Sequence, residues 1–289
     1  MVCSRGLWIN HEASIWGLMT SGGWRETASA RGVFGDMTVQ ASVVAEAVER
    51  AVAGLDVERL RREYWDQNEF LVIKQFLPRA FAEDTLVPQA QGVKGELNRN
   101  YIPGHKKGGS VSYYTVQEKA PRFLDLYRSD PFKSFLSGLV DAKLTFCPDD
   151  DPHSCALYYY TEPGDHIGFH YDTSYYKGAR YTILMRLVDR STHCKLVCEL
   201  FKDDPSKQPR HLELVTEPGD MVIFNGDKLW HAVTPLAEGE ERIALTMEYV
   251  TNPDMNPVKR LYSNLKDSIG YFGLKGVFKR ALSGSRQSR

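Results

Sequence analysis

Residues 160–172 read Tyr-Thr-Glu-Pro-Gly-Asp-His-Ile-Gly-Phe-His-Tyr-Asp and end in a His-x-Asp tripeptide. One residue separates His170 from Asp172, so on an extended backbone their side chains leave from the same face. An imidazole and a carboxylate placed in this way can occupy two adjacent positions around a metal ion. A His-x-Asp tripeptide alone is a weak signal, because short motifs often arise by chance. The stretch therefore predicts part of a metal site whose remaining ligand lies elsewhere in the chain.

His231 is the candidate for the third ligand. It follows the apolar run at residues 220–224, which predicts a strand, and it lies 61 residues after His170 (231 − 170). Two histidines and one carboxylate on one face of an octahedral metal leave three positions open. Non-haem Fe(II) oxygenases use this arrangement, because they bind an organic co-substrate and O₂ at the open positions.

Arg242 begins the next predicted strand, 11 residues beyond His231 (242 − 231). Its planar guanidinium can meet a carboxylate with two parallel hydrogen bonds, which suits the far carboxylate of a bidentate keto acid. Alternation along this strand separates two faces: Arg242, Ala244, Thr246 and Glu248 on one, and Ile243, Leu245, Met247 and Tyr249 on the other. The second face is predicted to pack against helices or a second sheet. Thr246 and Glu248 either line the pocket, where the carboxylate would suit a cationic substrate, or lie at a solvated strand end.

The second half of the chain predicts antiparallel strands. From about residue 143, apolar runs recur with Gly, Pro and Asp between them at the spacing typical of a sandwich or barrel. These runs are residues 156–160, 180–188, 195–201, 211–215, 220–224 and 242–250. Helical spacing comes earlier, at residues 42–55, 57–66, 79–86 and 121–139, with a strand at 70–76 and a polar, mobile loop predicted for 98–109. Helices followed by strands indicate a mainly β, double-sheet core backed by N-terminal helices.

These patterns divide the chain into four predicted segments. Residues 1–36 form an N-terminal extension whose composition is typical of disorder, and Met37 is a candidate natural start. Residues 37–140 form a helical support region with the first strand, and residues 141–255 form the catalytic β core. Residues 256–289 form a basic C-terminal helix or tail, in which eight Lys and Arg follow position 258 against one acid. This tail either packs on the core or binds an acidic carrier protein, anionic lipid or nucleic acid.

Composition limits the partners. The 289 residues carry a formal net charge of −1 and are 42% hydrophobic, so nothing demands a nucleic acid or a membrane as partner. No apolar run reaches the 18 residues typical of a spanning helix. Five cysteines are an odd and low number, which favours free thiols and a cytoplasmic protein. His193, Cys194 and Cys198 are a weak zinc signal, because they lie in a predicted strand without a fourth ligand. The oligomeric state is not indicated.

Taken together, His170-Tyr-Asp172, His231 and Arg242 resemble the motif of the Fe(II)/2-oxoglutarate oxygenase superfamily, over about residues 156–252. The resemblance implies a double-stranded β-helix core, of the jelly-roll, cupin-like type. It also implies Fe(II), 2-oxoglutarate as co-substrate and O₂, with ascorbate helpful in assays. Tyr160 and Thr182 match positions at which prolyl-hydroxylase-like members contact 2-oxoglutarate. Residues 166–201 faintly resemble a branch that hydroxylates or halogenates free amino acids.

The resemblance implies a dioxygenase that hydroxylates an aliphatic C–H bond and releases succinate and CO₂. Halogenases of the superfamily replace the carboxylate ligand with a small residue, so Asp172 favours hydroxylation. Tyrosines and hydroxyls in the predicted entrance loop, residues 172–177, favour a small polar substrate such as a free amino acid or a derivative. The alternatives are an oxygenase acting on a protein, carrier-bound or nucleic-acid substrate, and a non-catalytic metal-binding β-barrel, which Arg242 disfavours.

Two further residues are left open by the sequence. His166 and His170 have the spacing of a helical zinc-protease site, but the required glutamate is absent and the context is not helical. His166 is therefore predicted to be a loop histidine at the pocket mouth. Arg186 lies on the Thr182 face of its strand, and it either shares carboxylate binding or is a surface cation.

Overall fold

The structure is a computed structural model that describes residues 43–172, 174–267 and 271–273. The predicted extension at residues 1–36 and most of the predicted basic tail lie outside these residues, so the four segment boundaries stay predictions. None of the helices in the described ranges is both long enough and apolar enough to cross a membrane.

Helices fill the part of the chain that precedes the main strands, as predicted. Residues 43–53 form α1, and Asp56 caps α2 by accepting a hydrogen bond from the Arg59 N–H at 3.0 Å. The other helices are α2 (Val57–Asp66), α3 (Arg79–Phe81), a π-helical turn (Ala82–Leu86), α4 (Val87–Gly92), a 3₁₀ turn (Lys94–Glu96), α5 (Tyr113–Lys119), α6 (Arg122–Tyr127), α7 (Asp130–Val140) and α8 (Pro257–Asp267). The single helix predicted for residues 121–139 is two helices, because Ser129 begins α7 as an N-cap that accepts the Phe132 N–H.

Twelve strands are present in the described residues, and all of their pairings are antiparallel. They are β1 (Phe70–Ile73), β2 (Asn98–Ile102), β3 (Lys106–Val111), β4 (Thr145–Phe146), β5 (Cys155–Tyr160), β6 (His166–His170), β7 (Arg180–Arg190), β8 (Leu196–Leu200), β9 (Arg210–Leu214), β10 (Met221–Asn225), β11 (Trp230–Val233) and β12 (Glu241–Val250). Each of the six strand runs predicted after residue 143 is a strand.

The strand order is that of a double-stranded β-helix. The pairing runs β1-β10-β7-β12-β5-β3-β6-β11-β8-β9. One sheet therefore contains β5, β12, β7 and β10, and the facing sheet contains β6, β11, β8 and β9. The chain crosses between the two sheets at every step from β5 to β12 except the β8–β9 hairpin. The predicted jelly-roll core is confirmed.

The prediction of a mobile loop at residues 98–109 is wrong, because this stretch forms the β2–β3 hairpin. Strand β3 pairs with β5 and also with β6, so it bridges the two sheets. One of its glycines lies against a neighbouring side chain: a Cβ on Gly109 would be 3.2 Å from a methyl carbon of Leu97. Lys106, whose charge suggested a solvated segment, is only 2% exposed.

Apolar side chains pack on both faces of the sheet that contains β5, β12, β7 and β10. The helices pack on its outer face, and the residues of β12 that contribute to this layer are Ile243, Leu245, Met247 and Tyr249, as predicted. A second, smaller cluster lies between the two sheets and includes Ile167, Leu196, Cys198 and Phe224. The four described cysteines are free and buried, in agreement with the prediction of free thiols. Because its apolar side faces the helices, β12 presents its polar side to the space between the sheets.

Gly219 generates a stability prediction. It precedes β10 with φ of +89°, and a Cβ there would lie 2.1 Å from the Leu77 carbonyl oxygen. Gly239 also has positive φ, +77°, but nothing lies within 4 Å of its Cβ position. We expect Gly219→Ala to lower the free energy of unfolding by about 3 kcal/mol and Gly239→Ala by about 1 kcal/mol. Urea denaturation measures both losses, and equal losses would contradict the close approach.

Candidate active site

The predicted metal ligands His170, Asp172 and His231 lie together between the two sheets. His170 ends β6 and His231 is the second residue of β11, and the two are direct partners in the antiparallel register. Their ring centroids are 4.3 Å apart. Asp172 Oδ1 lies 3.4 Å from His170 Nε2 and 3.8 Å from His231 Nε2. One ligand atom from each residue therefore falls within 4.8 Å of the other two, close enough to hold one metal ion.

Backbone carbonyls orient both imidazoles. His170 Nδ1 is 2.8 Å from the Gly168 carbonyl oxygen, and His231 Nδ1 is 3.0 Å from the Leu229 carbonyl oxygen. A carbonyl oxygen only accepts hydrogen bonds, so each Nδ1 carries the proton and each neutral ring keeps its lone pair on Nε2. These are the two nitrogens that face Asp172. The arrangement is the one by which outer hydrogen bonds orient metal-binding histidines.

Asp172 is fixed from two sides. Its backbone N–H donates to the Gly226 carbonyl oxygen at 2.9 Å, and its Oδ2 accepts a hydrogen bond from Thr182 Oγ1 at 2.9 Å. A Cβ on Gly226 would lie 2.9 Å from the Cβ of Asp172, so only glycine leaves room for this backbone approach. With Oδ2 held by Thr182, Oδ1 is the oxygen that faces the two imidazoles.

The charges of Asp172 and His231 match their use as metal ligands. Burial lowers the pKa of His170, but Asp172 outweighs burial and raises it, so metal binding at that ring competes with a proton. Burial alone would raise the pKa of Asp172, but His231 and His170 together lower it below its usual range. Burial lowers the pKa of His231 to about 4, although Asp172 opposes this shift. His231 is therefore neutral and Asp172 is ionised near pH 7, which are the protonation states that metal binding needs.

Arg242 lies on the inner face of β12 and is 2% exposed. Its Nε and Nη1 make no hydrogen bond within the described part of the chain, and its guanidinium carbon lies 5.2 Å from the centroid of the Tyr160 ring. Arg186 is also buried, at 5% exposed, so it is not the surface cation considered above. Burial and the neighbouring Arg242 lower the pKa of Arg186 to about 9. Two buried guanidiniums side by side, each with at least one nitrogen that has no partner in the described residues, suit an anionic ligand.

One cavity of about 210 Å³ joins these features. His170, Asp172, His231, Arg242, Tyr160 and Thr182 all line it, so every predicted site residue faces the same space. Thr246 and Glu248 line it too, and Glu248 is 2% exposed rather than at a solvated strand end. The sequence did not predict the precise contact that Thr182 makes, which is its hydrogen bond to Asp172.

Several cavity residues were missed in the sequence. Arg180 forms an ion pair with Glu248, and Asp151 accepts a hydrogen bond at 2.6 Å from the hydroxyl of Tyr176, a residue of the predicted entrance loop. Tyr158 lines the cavity beside Tyr160, and its position two residues earlier on β5 was a signal that strand alternation offered. No comparable signal marked Asp151. It follows two other aspartates, in a stretch whose composition is typical of a solvated turn.

Two weaker candidates lie outside the cavity. His166 begins β6 rather than lying in a loop, and its Nδ1 is 2.8 Å from the Gly164 carbonyl oxygen. The weak zinc signal at His193, Cys194 and Cys198 does not correspond to a cluster: in the described residues these three side chains do not bring their possible ligand atoms together. The one group of described residues that does so besides the histidine–aspartate cluster is Cys147, Asp151 and Glu248.

Comparison with known proteins identifies the fold. No protein-family model and no curated protein matches the chain. Among solved structures, the non-heme alpha-ketoglutarate-dependent epimerase SnoN from nogalamycin biosynthesis matches 67% of this chain and 80% of its own, with a TM-score of 0.56 and 13% identity. The carbocyclase SnoK from the same biosynthesis matches 73% and 92%, with a TM-score of 0.56 and 13% identity.

A prolyl-4-hydroxylase from Pseudomonas putida matches 68% of this chain and 98% of its own, with a TM-score of 0.51 and 15% identity. At identities this low, the likeness concerns the fold. The chain therefore shares the double-stranded β-helix fold of these solved structures.

Proposed function

We propose that the protein is an Fe(II)/2-oxoglutarate-dependent dioxygenase. In this proposal it hydroxylates an aliphatic C–H bond of a small polar substrate, such as a free amino acid or a derivative of one. The observation that carries the proposal is the shared cavity, into which both the His170–Asp172–His231 cluster and the Arg242 side chain open. A metal site that shares a cavity with a buried guanidinium, two of whose nitrogens have no partner in the described residues, is what a co-substrate with a keto acid at one end and a carboxylate at the other requires.

The residues fit the proposed ligands. Nε2 of each histidine and Oδ1 of Asp172 provide two neutral nitrogen donors and one anionic oxygen donor, a set that suits Fe(II) and leaves open positions. The free Nε and Nη1 of Arg242 would otherwise be buried polar atoms without a partner, which is costly. A carboxylate of 2-oxoglutarate at the edge of the guanidinium would accept a hydrogen bond from one of these two nitrogens.

Each residue then has a definite part. Fe(II), when bound with 2-oxoglutarate and O₂, supplies the oxidising power, and the co-substrate ends as succinate and CO₂. His170, Asp172 and His231 hold the metal, and Thr182 keeps Asp172 Oδ2 hydrogen-bonded so that Oδ1 faces the metal position. Arg242, with Tyr160 against its guanidinium, orients the co-substrate. The walls of the cavity limit the access of water and position the substrate C–H bond.

Two observations bear on the alternatives. A non-catalytic metal-binding barrel has no use for a buried arginine with free donors, so Arg242 supports an enzyme. The polar groups of the cavity between the sheets are buried: Glu248 and Arg242 are each 2% exposed. Such a cavity suits a small molecule more than an open surface for a protein or a nucleic acid.

Removal of one metal ligand gives the first test. We expect His170→Ala to abolish the release of succinate from 2-oxoglutarate, measured without added substrate in the presence of Fe(II) and ascorbate. We also expect it to weaken Mn(II) binding by about 100-fold in calorimetry, because two ligands remain. His166→Ala on the same strand is the matched control and should leave both unchanged. Undiminished succinate release by His170→Ala would contradict the proposal.

Arg242 gives a second, separate test. We expect Arg242→Gln to raise the KM for 2-oxoglutarate by about 10- to 100-fold, since it removes a charge-assisted pair of hydrogen bonds worth roughly 1.5–3 kcal/mol. Affinity for Mn(II) alone should stay close to that of the wild type. Arg190→Gln is the control, because Arg190 lies on β7 with its side chain 74% exposed. An unchanged KM in Arg242→Gln would show that another group binds the co-substrate.

A further inference from the structure

A second polar wall of the cavity is not used by the metal or by the proposed co-substrate site. Asp151, Arg180 and Glu248 line it. Arg180 donates from Nη2 to Glu248 Oε1 in a tight ion pair. The other carboxylate oxygen, Oε2, is buried and accepts no hydrogen bond from any described residue. A buried carboxylate oxygen without a donor is costly, so this atom indicates a missing partner.

Asp151 adds a second carboxylate to this wall. It accepts hydrogen bonds from Tyr176 Oη at 2.6 Å and from the His153 N–H at 2.8 Å. Within the described ranges, no Lys or Arg nitrogen forms an ion pair with it. One oxygen of Asp151 and one of Glu248 lie within 4.8 Å of each other and of Cys147 Sγ. Two carboxylates therefore share the single guanidinium of Arg180, which leaves one negative charge uncompensated.

The electrostatic state of Glu248 agrees with this count. Burial raises the pKa of Glu248 to about 7 in spite of the adjacent Arg180, and the Asp151 carboxylate raises it further. The ionised form of Glu248 thus lacks sufficient positive charge around it. A cation placed between the two carboxylates would favour that ionised form.

Aromatic rings complete the surroundings. Tyr158, Tyr175, Tyr176 and Tyr271 all line the cavity, and the faces of such rings attract cations. One of them already does so: Lys106 Nζ lies 3.5 Å from the centroid of the Tyr271 ring. Lys106 is not the missing partner of Glu248, because Glu248 forms its ion pair with Arg180 and forms none with Lys106 in the described residues.

We propose that Asp151 and Glu248 bind a primary ammonium group of the substrate, which makes the substrate an amine. The inference rests on the proposed function for the reaction, but it concerns a different part of the cavity. An ammonium brings one positive charge, which matches the uncompensated charge, and three N–H donors for the two carboxylates. A divalent metal ion fits less well, because the Arg180 guanidinium occupies the other side of Glu248 and would repel it.

The test measures binding without turnover. Wild-type protein loaded with Mn(II) and 2-oxoglutarate is unfolded thermally in the presence of free amino acids and short diamines, each beside its N-acetylated form. We expect at least one amine to raise Tm while its acetylated form, which lacks the charge, does not. Glu248→Gln should raise the apparent Kd of that amine about tenfold or more. Glu241→Gln, the same change on the same strand but outside the cavity, should bind as the wild type does.

Asp151→Asn provides a second variant should Glu248→Gln fail to fold, since the amide oxygen can accept from the His153 N–H and the Tyr176 hydroxyl can turn to accept from the amide NH₂. We expect the same weakening of amine binding. The inference is wrong if no amine of the panel binds, if acetylated forms bind equally well, or if both cavity variants bind as the wild type does. It is also wrong if Mn(II) titration of the wild type gives two equivalents per chain and Glu248→Gln gives one.

The same protein sample separates this inference from the proposed function. Succinate release from 2-oxoglutarate in the absence of any amine tests the reaction alone. Release without amine binding would leave the proposed function standing and remove the ammonium site. Amine binding that Glu248→Gln weakens, in a protein that releases no succinate, would support the ammonium site and contradict the proposed reaction.

Discussion

The site depends on the antiparallel pairing of β6 with β11, which sets His170 directly opposite His231. Each imidazole donates to the carbonyl oxygen two residues earlier in the chain, Gly168 for His170 and Leu229 for His231. The backbone thus fixes both ring orientations and leaves both Nε2 atoms facing one point. A slip of one residue in this register would turn a histidine to the opposite face of its sheet. Asp172, two residues past His170, completes the cluster through Thr182 and Gly226 on the neighbouring elements.

The layering of the fold explains how so many charged groups come to lie inside. The apolar side of β12 packs on the helices, and its polar side therefore faces the space between the sheets. Arg242 and Glu248 are both 2% exposed, yet each has polar atoms without a partner in the described residues. Buried groups of this kind reduce stability unless a ligand satisfies them. Two such groups on one strand, six residues apart, support the proposed anion site and the proposed cation site in one cavity.

The sequence was sufficient where the chemistry is local. Alternation placed His170 beside Asp172 and separated the two faces of β12, and His231 was found as the histidine that follows the predicted strand at residues 220–224. It was insufficient where contacts join distant segments. Residues 98–109 were predicted to be a loop from their Gly, Lys and Asn content, although pairing with β5 and β6 makes them a hairpin.

The same limit applies to the second polar wall. The pair of Arg180 with Glu248 joins residues 68 positions apart. Asp151 follows Asp149 and Asp150 in a stretch with the composition of an exposed turn, and only the folded chain brings it to Glu248. Thr182 was assigned to the cavity by its offset from His170, but its hydrogen bond to Asp172 depends on where β7 lies relative to the end of β6.

A crystal structure with Mn(II) and 2-oxoglutarate, with the metal located by its anomalous scattering, is the most direct measurement. The account predicts one metal ion at about 2 Å from His170 Nε2, Asp172 Oδ1 and His231 Nε2. It also predicts the far carboxylate of 2-oxoglutarate in hydrogen-bond contact with Arg242. A metal ion bound instead by Cys147, Asp151 and Glu248, or a co-substrate turned away from Arg242, would contradict it.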